Sequence, residues 1–215
     1  MGLPIEKSNG FGYLELCIQK AADNYSIMPK QIACLEQIHS NRIVQVEKRG
    51  IYKQADGLIT AKKGLYLLIQ TADCAPIFLY APNNEIIAAL HGGWRGIVND
   101  IIANAVHIMQ ADYDVDPRNL RCAVGPSLKA CCFEIGEDIL HIFDNRFILN
   151  RAGKYYLQFS QLILAKLQQA GIIQQNIDIL EHCTKCNNDI FYSYRGDNQE
   201  TGRMLNVIGM ALSTS

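Results

Sequence analysis

Residues 65–109 read LYLLIQTADCAPIFLYAPNNEIIAALHGGWRGIVNDIIANAVHIM, and their pattern decides the fold class. The apolar runs 65–70, 76–80 and 86–90 have the length of strands and are short for helices. A continuous apolar run of this kind suits a strand covered on both faces. Thr71-Ala72-Asp73-Cys74 separates the first two runs. His91-Gly92-Gly93-Trp94-Arg95-Gly96 follows the third and leads into a helix with Ile97, Ile101, Ile102, Ala105, Ile108 and Met109 on its apolar side. Strand, Gly-rich turn and helix in that order make a favoured place for a site, because a strand end and a helix N-terminus converge there.

Working outward, residues 12–25 predict a helix with Leu14, Cys17, Ile18 and Ala21 on one face, closed by Pro29. Ile32 to Val46 alternates about a break at Ser40-Asn41, which predicts a hairpin with His39 at its tip. Downstream, 121–124, 155–159, 177–180 and 204–208 read as strands and 137–143 as helical. Ser160 is the expected N-cap of a helix over 161–170, which Gly171 stops. No repeat, linker or low-complexity tract interrupts the chain. The mixture predicts one layered α/β (α+β) domain over 1–215, a mixed sheet flanked by helices.

The 215 residues fall near the usual domain size of roughly 100–200, and a chain this long buries about 70% of its unfolded surface. Folding therefore needs no disulfides, and most of the eight cysteines read as reduced, buried packing residues. Twenty basic and 21 acidic residues, spread without long runs, argue against a nucleic-acid or anionic-membrane partner. No apolar stretch approaches the ~18–20 residues of a membrane span. The start Met-Gly-Leu-Pro-Ile-Glu-Lys lacks the pattern of a signal peptide, so a cytoplasmic protein is expected.

His39, Cys74 and His91 stand at the ends of apolar strands, where an α/β sheet presents residues to a ligand. Two imidazoles and a thiolate suit Zn²⁺ and leave its fourth tetrahedral position open. Gly92 and Gly93 allow a sharp backbone turn beside His91, and Gly96 the same at the helix start. The ligands are 35 and 17 residues apart, which matches no local zinc motif. On residue types alone, a packing cysteine and hydrogen-bonded histidines are the ordinary reading.

A series of short motifs, in order from residue 37 to 208, resembles the YfiH-type laccase-domain family. Its members are also called polyphenol oxidoreductases and are regarded as purine nucleoside phosphorylases. The matching pieces are QIH (37–39), ADGLIT (55–60), TADCAP (71–76), HGGWRG (91–96), VGPS (124–127), FEIG (133–136), CT (183–184), FYSYR (191–195) and TGR (201–203). The resemblance implies a catalytic zinc on His39, Cys74 and His91. It also implies phosphorolysis of adenosine, inosine, guanosine and methylthioadenosine, together with adenosine deamination. The fold it implies is the α/β/α-type arrangement of bacterial cysteine deamidase toxins of the cytotoxic-necrotising-factor type. Two departures stand out: residues 1–25 are shorter than the family's usual strand-rich, Gly-rich opening with its Arg, and Ser40 replaces a usual Gly.

Zinc lowers the pKa of water to about 7, and Asp73, beside Cys74, is the nearest candidate acid/base for adding that water to adenine. Phosphorolysis needs cations for phosphate, and Arg95 and Arg195 are the candidates, since a guanidinium fork suits a phosphate. Trp94 and Tyr194 offer rings for stacking on a purine or for the core. Glu134 is a candidate for orienting a ligand histidine. The expected partners are therefore a small nucleoside and phosphate. A copper polyphenol oxidase is the first rival, because two His and one Cys also suit copper. A multicopper oxidase needs several centres, each with its own histidines, and the chain has five. A cysteine hydrolase or deamidase with a Cys74–His91 dyad is the second, and a binding module without turnover the third. Cys183-x-x-Cys186 has no second C-x-x-C, although Cys131-Cys132 is able in principle to complete a four-sulfur site. His107 and His141 read as ordinary helix residues.

Overall fold

The computed structural model describes residues 11–212. Helix α1 (Phe11–Tyr25) comes first. It is followed by β1 (Ile32–Leu35), β2 (Ile43–Gln45), β3 (Gly50–Tyr52), β4 (Gly57–Thr60), β5 (Tyr66–Thr71), β6 (Ala75–Ala81) and β7 (Ile86–Gly92). Helices α2 (Trp94–Val98) and α3 (Ile101–Tyr113) lead to β8 (Arg121–Val124) and β9 (Glu134–Ile135). The hairpin β10 (Ile148–Arg151) and β11 (Lys154–Leu157), α4 (Phe159–Gln169), β12 (Ile177–Ile179) and β13 (Met204–Gly209) complete the chain.

The strands form two mixed sheets and a small third one. A six-stranded sheet runs β12-β8-β6-β7-β4-β2, and a four-stranded sheet runs β13-β5-β1-β3. They pack face to face: Ala33, Leu35, Leu67 and Ile69 of the smaller sheet meet Leu58, Ile87 and Ala89 of the larger. The alternate residues of β6 and β7, among them Ile77, Leu79, Ile86, Ala88 and Leu90, point the other way into α3 and α4. Ile32, Cys34 and Leu68 likewise lie under Cys17 and Ala21 of α1. Each central strand is thus covered on both sides, which is why its sequence is apolar without alternation. The α/β class expected from the sequence holds, with the sheet layer doubled. Among the described residues no helix is long and apolar enough to cross a membrane.

Several local expectations are corrected. Residues 32–46 are not a hairpin. β1 pairs in parallel with β3 and β5, whereas β2 pairs in parallel with β4 in the other sheet. Ser40 directs its N–H and hydroxyl to Asp56 rather than closing a turn. The helix after His91 is two helices, broken at Asn99-Asp100, where Asp100 has φ 64° and accepts from Lys166 Nζ at 2.6 Å. Helix α4 begins at Phe159, which the core buries. Its N-cap is Gln158, and the Ser160 hydroxyl instead accepts from Lys129. Residues 137–142 are a 3-10 turn, and strands β3, β9 and β10 are too short and too weakly patterned to read from sequence.

Leu67, fully buried between the two sheets, tests the packing. Leu67→Ala is expected to lower unfolding free energy by about 2–5 kcal/mol in urea titration. A loss well under 1 kcal/mol would mean that the sheets do not close on each other there.

Candidate metal centre and cleft

Three antiparallel neighbours of the larger sheet, β6, β7 and β4, bring distant residues to one end. Cys74 immediately precedes β6, and His91 lies opposite Pro76 near the end of β7. Asp56 immediately precedes β4, whose Gly57 faces Leu90, so Asp56 falls beside His91; its carbonyl accepts the His91 N–H at 2.7 Å. His39 arrives from the connection that carries the chain from β1 in one sheet to β2 in the other. The donor atoms of His39, Cys74 and His91 lie within 4.8 Å of one another. Cys74 Sγ is 3.9 Å from His39 Nε2, and the two imidazoles meet edge to face with centroids 4.8 Å apart.

Asp56 organises this group and is fully buried. One carboxylate accepts the N–H groups of Ile38, His39 and Ser40 at 3.2, 2.9 and 2.6 Å, and the Ser40 hydroxyl at 2.7 Å. It also takes His91 Nδ1 at 2.7 Å. Burial alone raises a carboxyl, but the bonds from His91 and Ser40 outweigh it and hold Asp56 down at about 2. With Nδ1 engaged, His91 turns its Nε2 to the thiol, the orientation that ligand histidines receive from a carboxylate. Burial likewise opposes ionisation of Cys74 and His91, yet each charge stabilises the other. The thiol is drawn down to about 6 and the imidazole raised to about 9. Asp56 is thus the residue the sequence reading missed, having given the orienting role to Glu134. Glu134 is exposed and ion-paired with Lys154 at 3.2 Å. A lone aspartate at the head of the apolar strand GLIT was the available signal.

The donor set fits a single ion. Tetrahedral Zn²⁺ with bonds of about 2.0–2.3 Å holds such ligands roughly 3.3–3.8 Å apart, close to the His39–Cys74 separation. The neighbouring glycines are required for space rather than for unusual dihedrals. A Cβ on Gly93 would stand 2.9 Å from His39 Cδ2 and 3.4 Å from Cys74 Sγ, and one on Gly96 2.8 Å from the Ser40 carbonyl.

Asp73 lies beside this group rather than in it. Its φ is 83°, and its carboxylate accepts Thr184 Oγ1 at 2.6 Å, Ser193 Oγ at 2.7 Å and the Arg195 N–H at 2.8 Å. Both oxygens therefore serve to clamp residues 184–195 against the turn that carries Cys74. The trio opens onto a cleft of about 730 Å³ that Tyr13, Trp94, Arg95, Tyr194, Arg195 and Arg203 also line. Arg95 is exposed and lies 4.4 Å from the Trp94 ring centroid. Arg195 donates to the Glu134 carbonyl and sits 5.0 Å over Phe133. Trp94 packs tilted on Phe143. Arg203, in the TGR motif, is a third guanidinium of the cleft that the sequence reading did not single out.

An α/β protein with two imidazoles and a thiolate converging at a cleft belongs to the class equipped for a three-ligand metal centre. The chain is a member of the family described as multi-copper polyphenol oxidoreductase laccase, whose sequence pattern matches residues 15–211. It is 30% identical over 194 residues to the purine nucleoside phosphorylase YlmD of Geobacillus stearothermophilus, covering 82% of this chain and 71% of that protein. It is 34% identical over 183 residues to a purine nucleoside phosphorylase of Deinococcus radiodurans, covering 83% and 70%. The crystal structure of Bacillus licheniformis YfiH superposes with TM-score 0.87 at 25% identity, over 96% of this chain and 85% of that one.

Asp56→Asn removes a buried charge with five donors on it, and is expected to cost about 3–5 kcal/mol at neutral pH. The carboxyl titrates lower in the folded chain than its ordinary 3.8, so its contribution is complete above that value and is lost as pH falls towards about 2. Denaturant titrations of both proteins should converge over that window. A gap independent of pH would remove the carboxylate from the account.

Proposed function

We propose that this chain is a zinc-dependent purine nucleoside phosphorylase that also deaminates adenosine, acting in the cytoplasm. The observation that carries the reading is the gathering of His39, Cys74 and His91 at one end of a cleft that also holds three arginines and five Phe, Tyr or Trp side chains. The names of the relatives point the same way. The cleft volume falls in the range of small-molecule sites, about 300–1,000 Å³.

His39, Cys74 and His91 would hold the ion, which supplies Lewis acidity at the cleft. Arg95, Arg195 and Arg203 would bind phosphate and orient one oxygen towards C1′ of the ribose. In phosphorolysis that oxygen forms the new C1′–O bond, the glycosidic C–N bond breaks, and its electron pair leaves with the purine, which takes up a proton. Tyr13, Trp94 and Tyr194 offer faces for the base. In deamination, water adds at C6 of adenine and ammonia leaves, giving inosine. Asp73 supports either reaction by fixing the Cys74 turn and the Arg195 segment, because its oxygens are already engaged.

The thiolate–imidazolium character of Cys74 and His91 favours one other reading, a cysteine hydrolase. There the thiol alkylates readily and turnover survives chelators, whereas a metal-bound thiolate is protected and chelation ends turnover.

Chromatography after incubation with adenosine is expected to show adenine and ribose 1-phosphate only when phosphate is present, and inosine without it. Intact adenosine under both conditions would overturn the proposal. His91→Ala and Cys74→Ala are each expected to lose the ion of this centre and turnover while circular dichroism stays unchanged. Full activity in either would end it. Metal analysis of protein purified without added copper should find zinc; copper there would favour the oxidase.

Gly93→Ala places a methyl group against two ligands and is expected to weaken metal binding about 10–100-fold. Competition with a chromogenic chelator reads this, and unchanged affinity would show that the space is not critical.

A further inference from the structure

The second cysteine group lies apart from the trio. β8 and β12 are adjacent parallel strands, paired Ile177↔Cys122 through Ile179↔Val124. The loops leaving them stay together, with a parallel bridge between Ser127 and Cys183 and an N–H bond from Thr184 to the Ser127 carbonyl. One loop then supplies Cys131 and Cys132, the other Cys183 and Cys186. Parallel pairing thereby delivers four cysteines, two per loop, to one place, the set that the sequence left open in principle.

All four sulfurs lie within 4.8 Å of one another. Cys186 Sγ is 3.5 Å from Cys131 Sγ and 3.4 Å from Cys132 Sγ. A tetrahedral ion with Zn–S bonds of about 2.3 Å places its sulfurs roughly 3.8 Å apart. A cluster with several irons and bridging sulfides would need its thiolates spread more widely. Cys183 is buried, and its sulfur accepts the backbone N–H groups of Cys186 and Lys129. Lys129 is buried within electrostatic reach of Glu181, Cys183 and Cys131, and its ammonium donates to Ser160 Oγ at 2.8 Å. Cys131 and Cys186 are exposed, so an ion has a way in.

We propose that Cys131, Cys132, Cys183 and Cys186 bind one Zn²⁺ ion as a closed four-thiolate structural site, separate from the His39–Cys74–His91 centre. Binding releases the thiol protons to solvent and involves no change in oxidation state. The ion would staple residues 131–132 to 183–186. The first pair precedes Phe133 of the cleft wall, and the second contains Thr184, which holds Asp73. A closed site of this kind contributes folding stability and leaves no position for substrate.

The test uses the full chain, expressed with zinc and purified without chelators or copper. Zinc per chain is measured by mass spectrometry for wild type, Cys186→Ser, Cys131→Ser/Cys132→Ser and His39→Ala/Cys74→Ala. Each variant in the four-cysteine group is expected to hold one zinc fewer than wild type and to melt at lower temperature. In the His39→Ala/Cys74→Ala background the four-sulfur site should still hold one zinc. Cobalt loaded into that background should give thiolate-to-metal charge-transfer absorption, weakened in steps as cysteines are replaced. Because this background lacks the trio, failure of the nucleoside reading leaves the result intact. Equal zinc content in wild type and the cysteine variants would overturn the proposal. So would a disulfide among the four, or iron in place of zinc.

Discussion

One buried carboxylate governs the metal-ready end of the fold. Asp56 binds His91 through its ring and His39 through its backbone, so two imidazoles from different layers answer to a single residue. Five donors on two oxygens make ionisation favourable at a position with no solvent. The same bonds keep His39 at φ 63°, a conformation that costs an ordinary residue about 1–3 kcal/mol and persists only where the surroundings impose it. Ser40 contributes both its N–H and its hydroxyl. A glycine there would leave the second bond unmade.

A second aspartate does for the thiol what Asp56 does for the imidazoles. The chain leaves the smaller sheet at Thr71 and enters the larger at Ala75, so Ala72-Asp73-Cys74 must cross between facing sheets in three residues. That turn places Asp73 at φ 83° and is held by Thr184, Ser193 and Arg195, all more than a hundred positions away in the chain. Cys74 is therefore fixed by contacts with the C-terminal segment. The cleft lies where the sheets exchange strands because only there do sheet ends, a helix start and the late loops meet.

The parts legible in the sequence are those with a strong local signature. The runs at 65–70, 76–80 and 86–90 predicted β5, β6 and β7, since burial on two faces leaves an unbroken apolar record. Gly171, at φ 91°, ends α4 as expected. Apart from elements too short to carry a pattern, the failures come from partners distant in the chain. Residues 32–46 alternate as a hairpin does, but each half finds a parallel neighbour elsewhere. Ser160 looks like a helix cap, yet Lys129 claims its hydroxyl. The trio stood out at strand ends, but only the family motifs favoured it over ordinary packing. Asp56 lay within one of those motifs, but its role depends on one ring, three backbone N–H groups and a hydroxyl that no spacing reveals.

The electrostatics bear on what the trio is for. A cysteine–histidine dyad needs one imidazole to accept a proton, and Asp56 with His91 would suffice for it. The second imidazole is then superfluous, yet the backbone is held in an uncommon conformation to bring it to 3.9 Å from the sulfur. With Nδ1 of His91 committed to Asp56, Nε2 of each ring faces the thiolate side of the group. Without an ion the His91 imidazolium already pairs with the Cys74 thiolate, and His39 adds a third donor to that pair. Under the zinc reading, the space that Gly93 leaves is what lets His39 and Cys74 approach a shared ion.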